Sequence, residues 1–312
     1  MDALLALIPY ITKPSRAVLT THRNPDPDSV ASICAMADLL RKLGHTVSLF
    51  TRDSTRDLTW IGGADEIELT SEIDWSQYDY FWALDQAGAD RHGFSNPTIP
   101  IINIDHHASN PMWGTLNYVD AQSASACSIV LKLFEVLDMA PEKDTATTLL
   151  TGLMADTDFF EYAHTEEVFE DAGTLLRHGA DYEGVRFQMN QQRDPRDVEF
   201  IGRALLELKV HAEKRVAYLY IDETMWNEFG SSLDKSYLLL PFIQSIQGTD
   251  CGVLIMESIP DAIRLRFRAR KPDFDVLSIA QKIGGAGHHA AAGARLPRMP
   301  REEAIAKVLA CF

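Results

Sequence analysis

Basic residues are scarce in this chain: 29 Lys and Arg stand against 45 Asp and Glu, a net charge of -16 over 312 residues. An envelope of that sign repels long polyanions, so long nucleic acid is not an expected partner. If phosphate is handled here, something local must reverse the field, and bound divalent metal is the natural agent. Cysteines are few and scattered. Cys34, Cys127, Cys251 and Cys311 form no CxxC pair, which argues against a zinc knuckle or a disulfide framework and fits cytoplasmic thiols. Long apolar runs are missing too: the N-terminal stretch MDALLALIPYITKPSR has no basic start and is broken at Pro9. It reads as an amphipathic first helix, with no signal peptide, membrane span or membrane partner expected. Internal repeats and low-complexity tracts are absent as well.

What is present is apolar content for two cores, 46% of a chain longer than one usual domain. RAVLTT (16–21) is a β-branched run ending at His22, followed by a Pro and Asp cluster and an apolar-periodic stretch from Ala31 to Leu43. That is strand, loop, helix. TVSLF (46–50), FWALD (81–85) and IPIINID (99–105) are further strands, and helices are predicted over 124–137, 143–155 and 165–178. Such alternation predicts an α/β fold: a parallel sheet with helices on both faces, its ligands gathered at the carboxyl ends of the strands. This first domain spans 1–188. The charged run 189–212, with an apolar stripe through Val198, Ile201, Leu205 and Leu208, predicts a linker helix. Strands at 216–221, 251–257 and 262–270 and a helix near 275–283 make 213–312 a smaller α+β domain.

In HRNPDPDSV, His22, Asp26 and Asp28 share one loop, the kind of irregular backbone that tolerates function after a parallel strand. Asp85 ends one strand, Asp105, His106 and His107 end another, and Asp156 lies in GLMADTDFF. Each segment alone has an ordinary explanation: DPD as turn chemistry, a strand-end Asp as a helix cap. Together, four distant segments offer carboxylate or imidazole at comparable depth, a donor set that suits Mn2+ better than a thiolate-seeking ion.

The run HRNPDPDSVAS, ALDQAGADR, IDHHASN and MADT resembles the four successive motifs of DHH phosphoesterases. GGAGHHAAAG resembles the GGGGHxxAAG signature of their DHH-associated C-terminal domain, so the likeness covers about residues 16–295. The oligoribonuclease (nanoRNase) and pAp-phosphatase group, related to the core of the RecJ exonuclease, is the type it is most similar to. The resemblance implies that His22, Asp26, Asp28, Asp85, His106 and Asp156 bind two Mn2+ ions, with Mg2+ or Co2+ as substitutes and Asp85 and Asp28 near the bridge. It leaves His107 free to meet a substrate phosphate, and places Arg91 at the family's Dx5R position. Two cations about 3.5–4 Å apart would hold and acidify a bridging water for in-line attack.

The C-terminal motif adds a second expectation. Gly285 and Gly287 allow close backbone approach and expose N–H groups to an anion, while His288 adds a side-chain donor. Arg264, Arg266, Arg268 and Arg270 alternate, which predicts one basic face, and Arg268 coincides with the family's strand arginine as a phosphate clamp. Departures from the pattern are Pro27 in DPD for DGD, SVAS for AxGS, Ala286 in the glycine run, and Asp158 and Glu161 at the glycine and arginine positions of DTGxFR. The function expected is therefore a Mn2+-dependent exonuclease that cuts short oligoribonucleotides to mononucleotides. Alternatives are a pAp phosphatase, a linear or cyclic dinucleotide phosphodiesterase, or a catalytically silent nucleotide sensor. The last is disfavoured because every ligand position is filled, and inorganic pyrophosphatase because of the glycine–histidine turn. A homodimer is compatible with these bounds.

Overall fold

A computed structural model of the chain describes residues 2–161, 165–229, 238–258, 262–271, 273–287 and 289–312. The chain forms two compact units, Met1–Gln191 and Gln192–Phe312. In the first, helices α1 (Asp2–Leu5) and α2 (Ile8–Thr12) precede β1 (Arg16–Thr20), α3 (Pro27–Lys42), β2 (Thr46–Thr51), β3 (Glu68–Leu69), β4 (Tyr80–Leu84), β5 (Ile101–Asp105) and β6 (Leu116–Val119). Helices α4 (Ala126–Val136), α5 (Lys143–Asp156), α6 (Glu166–Arg177) and α7 (Tyr182–Asn190) complete it. The six strands run parallel in the order β3-β2-β1-β4-β5-β6.

The order reverses beside β1, and connections to the two sides of β1 must cross opposite faces if both are right-handed. One face carries Ala17, Leu19, Trp82, Leu84, Ile102 and Ile104 against the helices, with α3 so enclosed that most of its side chains are buried. The other face has a different cover. Val18, Phe81 and Ala83 there are covered by Ile73, Trp75, Phe94 and Trp113, which lie on loops and a single 3-10 turn. The crossovers leading into β4, β5 and β6 are too irregular for a helix and use aromatic side chains to exclude water instead.

Asp26 starts α3: its Oδ1 accepts the Ser29 N–H at 2.9 Å, and Pro27 follows at the first helical position, where its missing N–H costs nothing. Gly44, at φ +91°, ends the helix and lets the chain turn into β2.

The second unit contains α8 (Pro195–Leu205), β7 (Lys209–His211), β8 (Val216–Ile221), α9 (Glu223–Phe229), α10 (Leu240–Gln244), β9 (Cys251–Ser258), β10 (Ala262–Ala269), α11 (Val276–Gln281), β11 (Ala286–Gly287), β12 (Ala291–Pro297) and α12 (Arg301–Leu309). Its mixed sheet runs β11-β12-β10-β9-β8-β7, with β8 and β9 the parallel pair. Residues 189–212 hold the end of α7, all of α8 and β7. In α8 the buried side is Phe200, Ile201 and Ala204, packed on Ala217, Leu219 and Leu254, while Val198 is exposed. Leu205 and Leu208 pack on the same cluster, so of the predicted stripe only Val198 departs. Ile263, Leu265 and Phe267 of β10 pack with α11 and α12, so Arg264, Arg266 and Arg268 occupy its opposite side. Arg270 does not extend that row: it lies beyond the strand, and its guanidinium donates to the Thr249 carbonyl at 3.3 Å.

No helix among the described residues is long and apolar enough to cross a membrane.

Candidate active site

The carboxyl ends of β1, β4 and β5, the start of α3 and the end of α5 bring the six expected ligands together. His22 Nε2 lies 3.4 Å from Asp26 Oδ2 and 3.5 Å from Asp85 Oδ2. His106 Nε2 lies 3.4 Å from Asp85 Oδ1 and 3.1 Å from Asp156 Oδ2. Asp28 completes a cluster with His106 and Asp156, and a third group joins Asp85, Asp105, His106 and His107, ligand atoms in each lying within 4.8 Å of one another. Asp85 belongs to two of these groups. It also adopts a left-handed backbone, φ 57°, a conformation that a Cβ disfavours, though less for aspartate than for most residues. That twist at the end of β4 delivers its carboxylate between the two histidines.

Local packing fixes the other side chains. Asp26 divides its oxygens, one capping α3 and one facing His22, so the cap leaves the second oxygen turned toward the cluster. Both oxygens of Asp28 accept backbone N–H groups at the first turn of α4, from Ala126 at 2.7 Å and Cys127 at 3.1 Å. The helix's partial positive charge there favours the carboxylate. A Cβ on Gly152 of α5 would collide with Asp28 Oδ1 and Cys127 Sγ, so only glycine admits this crossing of α3, α4 and α5. Gly152 escapes sequence reasoning because nothing local marks it.

Asp105 is a second residue whose role is visible only in space. Fully buried, it accepts from the His106 N–H at 2.9 Å, from Asn110 Nδ2 at 2.6 Å and pairs with His107 Nδ1 at 2.8 Å. It thereby orients His107, whose side chain is 37% exposed.

Charge crowding moves the protons. Burial opposes the His22 imidazolium, but Asp26 and Asp85 outweigh it and raise its pKa to about 10. Burial likewise opposes His106, and Asp156 and Asp85 raise it to about 12. For His107 the Asp105 hydrogen bond dominates burial and also raises the pKa. Burial pushes Asp156 up to about 6 and Asp28 well up, the latter with help from neighbouring carboxylates. Asp85, despite burial, is held low by the two histidines. Positive charge is wanted at the points where these histidines hold protons.

Asp85 Oδ1 and His106 Nε2 are buried without a hydrogen-bond partner. Oxygen and imidazole donors converging on such orphaned atoms fit a divalent cation of hard to intermediate character.

The remaining expected contacts are placed less centrally. Arg91 is exposed, and its carbonyl accepts the Arg23 N–H at 2.6 Å, tying its segment to the His22 loop. Arg268 lies on β10 in the second unit, half-buried, with one guanidinium N–H on the Phe267 carbonyl. The glycine run caps α11: Gly285 N–H donates to the Ala280 carbonyl at 2.8 Å, so that donor is already engaged rather than open to an anion. Gly287, at φ +146°, pairs with Ala292 in β12. His288 lies outside the described residues.

Residues 16–155 match the DHH family, N-terminal domain. Over 298 residues the chain is 28% identical to the bifunctional oligoribonuclease and PAP phosphatase NrnA of Thermus thermophilus, a span of 93% of this chain and 87% of that protein. Among solved structures it shares its fold with an exopolyphosphatase-related protein from Bacteroides fragilis, at TM-score 0.87 and 18% identity over 99% of this chain and 96% of the other. RecJ of Thermus thermophilus in complex with Mn2+ is a more distant likeness, at TM-score 0.57 and 14% identity over 99% of this chain and 54% of that one. Residues 16–155, which match that family's N-terminal domain, carry five of the six clustered ligands and run directly into the sixth, and the chain is a phosphoesterase.

Proposed function

We propose that this chain is a Mn2+-dependent phosphodiesterase that cuts short oligoribonucleotides to mononucleotides, with two cations in the pocket and water as nucleophile. The observation that carries the reading is that Asp85 reaches both His22 of one group and His106 of the adjoining group with Asp28 and Asp156. His22, Asp26 and Asp85 would hold one cation, and Asp28, His106 and Asp156, with Asp85 between, the other. When bound, the cations supply Lewis acidity, a water of lowered pKa and a counter-charge for phosphate. Asp105 holds His107 through Nδ1, leaving Nε2 to donate to a phosphate oxygen. Arg91 is assigned to the distal part of the substrate, and Arg268, Gly287 and His288 of the second unit to phosphate binding. The acidic surface restricts that substrate to a few nucleotides, because a longer polyanion meets growing repulsion.

The Thermus thermophilus relative is named for a second activity, PAP phosphatase, which favours pAp as a further substrate of the same pocket. Metal-depleted protein reloaded with Mn2+, Mg2+ or Co2+ and assayed side by side on pApA, pAp and cyclic di-AMP tests the proposal. Fastest turnover of pApA with Mn2+ is expected. Turnover confined to cyclic di-AMP, or tight nucleotide binding without hydrolysis under any metal, overturns it.

A further inference from the structure

The turn that follows Asp156 has chemistry of its own. Asp158, Phe159 and Phe160 take left-handed backbone in succession, at φ 45°, 55° and 71°, a conformation that each Cβ opposes. The turn is tied to the end of α5: Phe159 N–H donates to the Met154 carbonyl at 2.8 Å, and Phe160 N–H to Thr157 Oγ1 at 3.1 Å. The Phe160 ring, four residues past Asp156, is thereby anchored to the helix end that carries the ligand. Phe160 stacks on Phe169 of α6, with ring centroids 5.8 Å apart and planes 29° apart. Helix α6 buries Val168, Ala172 and Leu175, whereas Phe169 stands 58% exposed. An exposed aromatic ring already stacked on a second, beside a metal-ligand candidate, is not explained by the core.

The charges around the pair narrow its occupant. From Thr157 to Asp171 the sequence has no Lys or Arg, and Asp158 and Glu161 are exposed. Carboxylates repel phosphate, so the part of a nucleotide that fits here is its uncharged, flat, π-bearing part. We propose that Phe160 and Phe169 form the platform on which one nucleobase of the substrate stacks, with Asp158 and Glu161 excluding a phosphate from that lip. The proposal rests on the nucleotide-hydrolysing reading above.

The test uses the full chain reloaded with Mn2+ and three substrates, pApA and two analogues of it, each lacking one adenine. Phe169→Ala removes an exposed ring and spares the core; Phe169→Trp restores the stack. The expected result is a rise of about tenfold in KM for pApA in Phe169→Ala, as for loss of one base–aromatic stack, with kcat retained and Phe169→Trp close to wild type. One abasic analogue, the one lacking the stacked base, should respond equally in wild type and Phe169→Ala. A 2-aminopurine in place of the stacked adenine should be quenched on binding to wild type and not to Phe169→Ala. Unchanged KM, equal losses on pApA and both abasic analogues, or a fall in oligomeric size by light scattering with KM unchanged overturns the platform, the last assigning the ring to a contact between copies. If wild type cleaves neither pApA nor its abasic analogues, the nucleotide reading itself fails and the platform with it.

Discussion

The two units treat polar chemistry in opposite ways. The parallel sheet of the first ends several strands at one edge, so His22, Asp85 and His106, which are far apart in sequence, converge on a point. The mixed sheet of the second unit sets Arg264, Arg266 and Arg268 along a single strand, roughly 6.5–7 Å apart at two residues per step. One arrangement focuses charge and the other lays it out as a rail. A converging site is suited to bond breaking and a linear one to holding a row of phosphates, and the proposed function assigns cutting to the first and gripping to the second.

The comparison breaks most visibly at its focus. Asp85→Ala should reduce hydrolysis by a thousandfold or more, on the order of the several kcal/mol attributed to metal-assisted charge stabilisation. Wild-type turnover with unchanged metal content would remove the shared-carboxylate site. Within the same focus, elemental analysis should find His106→Ala depleted of metal and His107→Ala still loaded but slow. Equal depletion would mean that the two neighbours do not divide their roles.

On the other side of the comparison, Arg268→Ala should lower kcat/KM on pApA by roughly ten- to a hundredfold, the value of one charge-assisted hydrogen bond. A minimal nitrophenyl phosphodiester should hardly respond, because remote binding energy is lost while the chemistry survives. Parallel losses on both substrates, with a lower melting temperature, would reduce the rail to a structural sheet face.

Gly152→Ala sharpens the first side by disturbing it indirectly. Overpacking at a buried helix crossing typically costs about 1–3 kcal/mol, and here the added methyl meets Asp28 and Cys127. Denaturation should show that loss, and metal titration should show weaker binding. Unaltered metal affinity would separate Asp28 from the site.

The smallest effect belongs to the loop-covered face, where His92 is enclosed by Trp75, Phe81, Phe94 and Trp113. Burial lowers its pKa, against a smaller opposing pull from Asp90. The unfolded chain therefore binds this proton more readily than the folded one. Its contribution to stability is full above the ordinary histidine range near 6.5 and is lost as pH falls from there toward the lowered folded pKa. His92→Phe should flatten that part of the stability–pH curve, and an identical slope in the variant would show that the ring does not titrate in this window.

Sequence patterns reveal these features unequally. Strand ends are legible because hydrophobic runs stop at a charged residue, and RAVLTTH, FWALD and IINIDHH each do so. Left-handed geometry at Asp85 leaves no such mark, nor does the need for glycine at 152, since both arise where distant elements meet. The glycine run shows the reverse failure: a motif legible in sequence whose first N–H turns out to close a helix. Likewise the arginine alternation continues in sequence past Ala269 while the strand does not.

The φ of 57° at Asp85 also sets an evolutionary tension. Glycine there would relax the backbone but strip His22 and His106 of the carboxylate they share, and the second effect is the larger, so the metal-free protein should melt lower with Asp85→Gly. Adding metal should widen that gap, because only the native residue would gain folding free energy from the ion it is proposed to bind. Backbone preference alone would favour glycine at this position, and the charges that meet there oppose it.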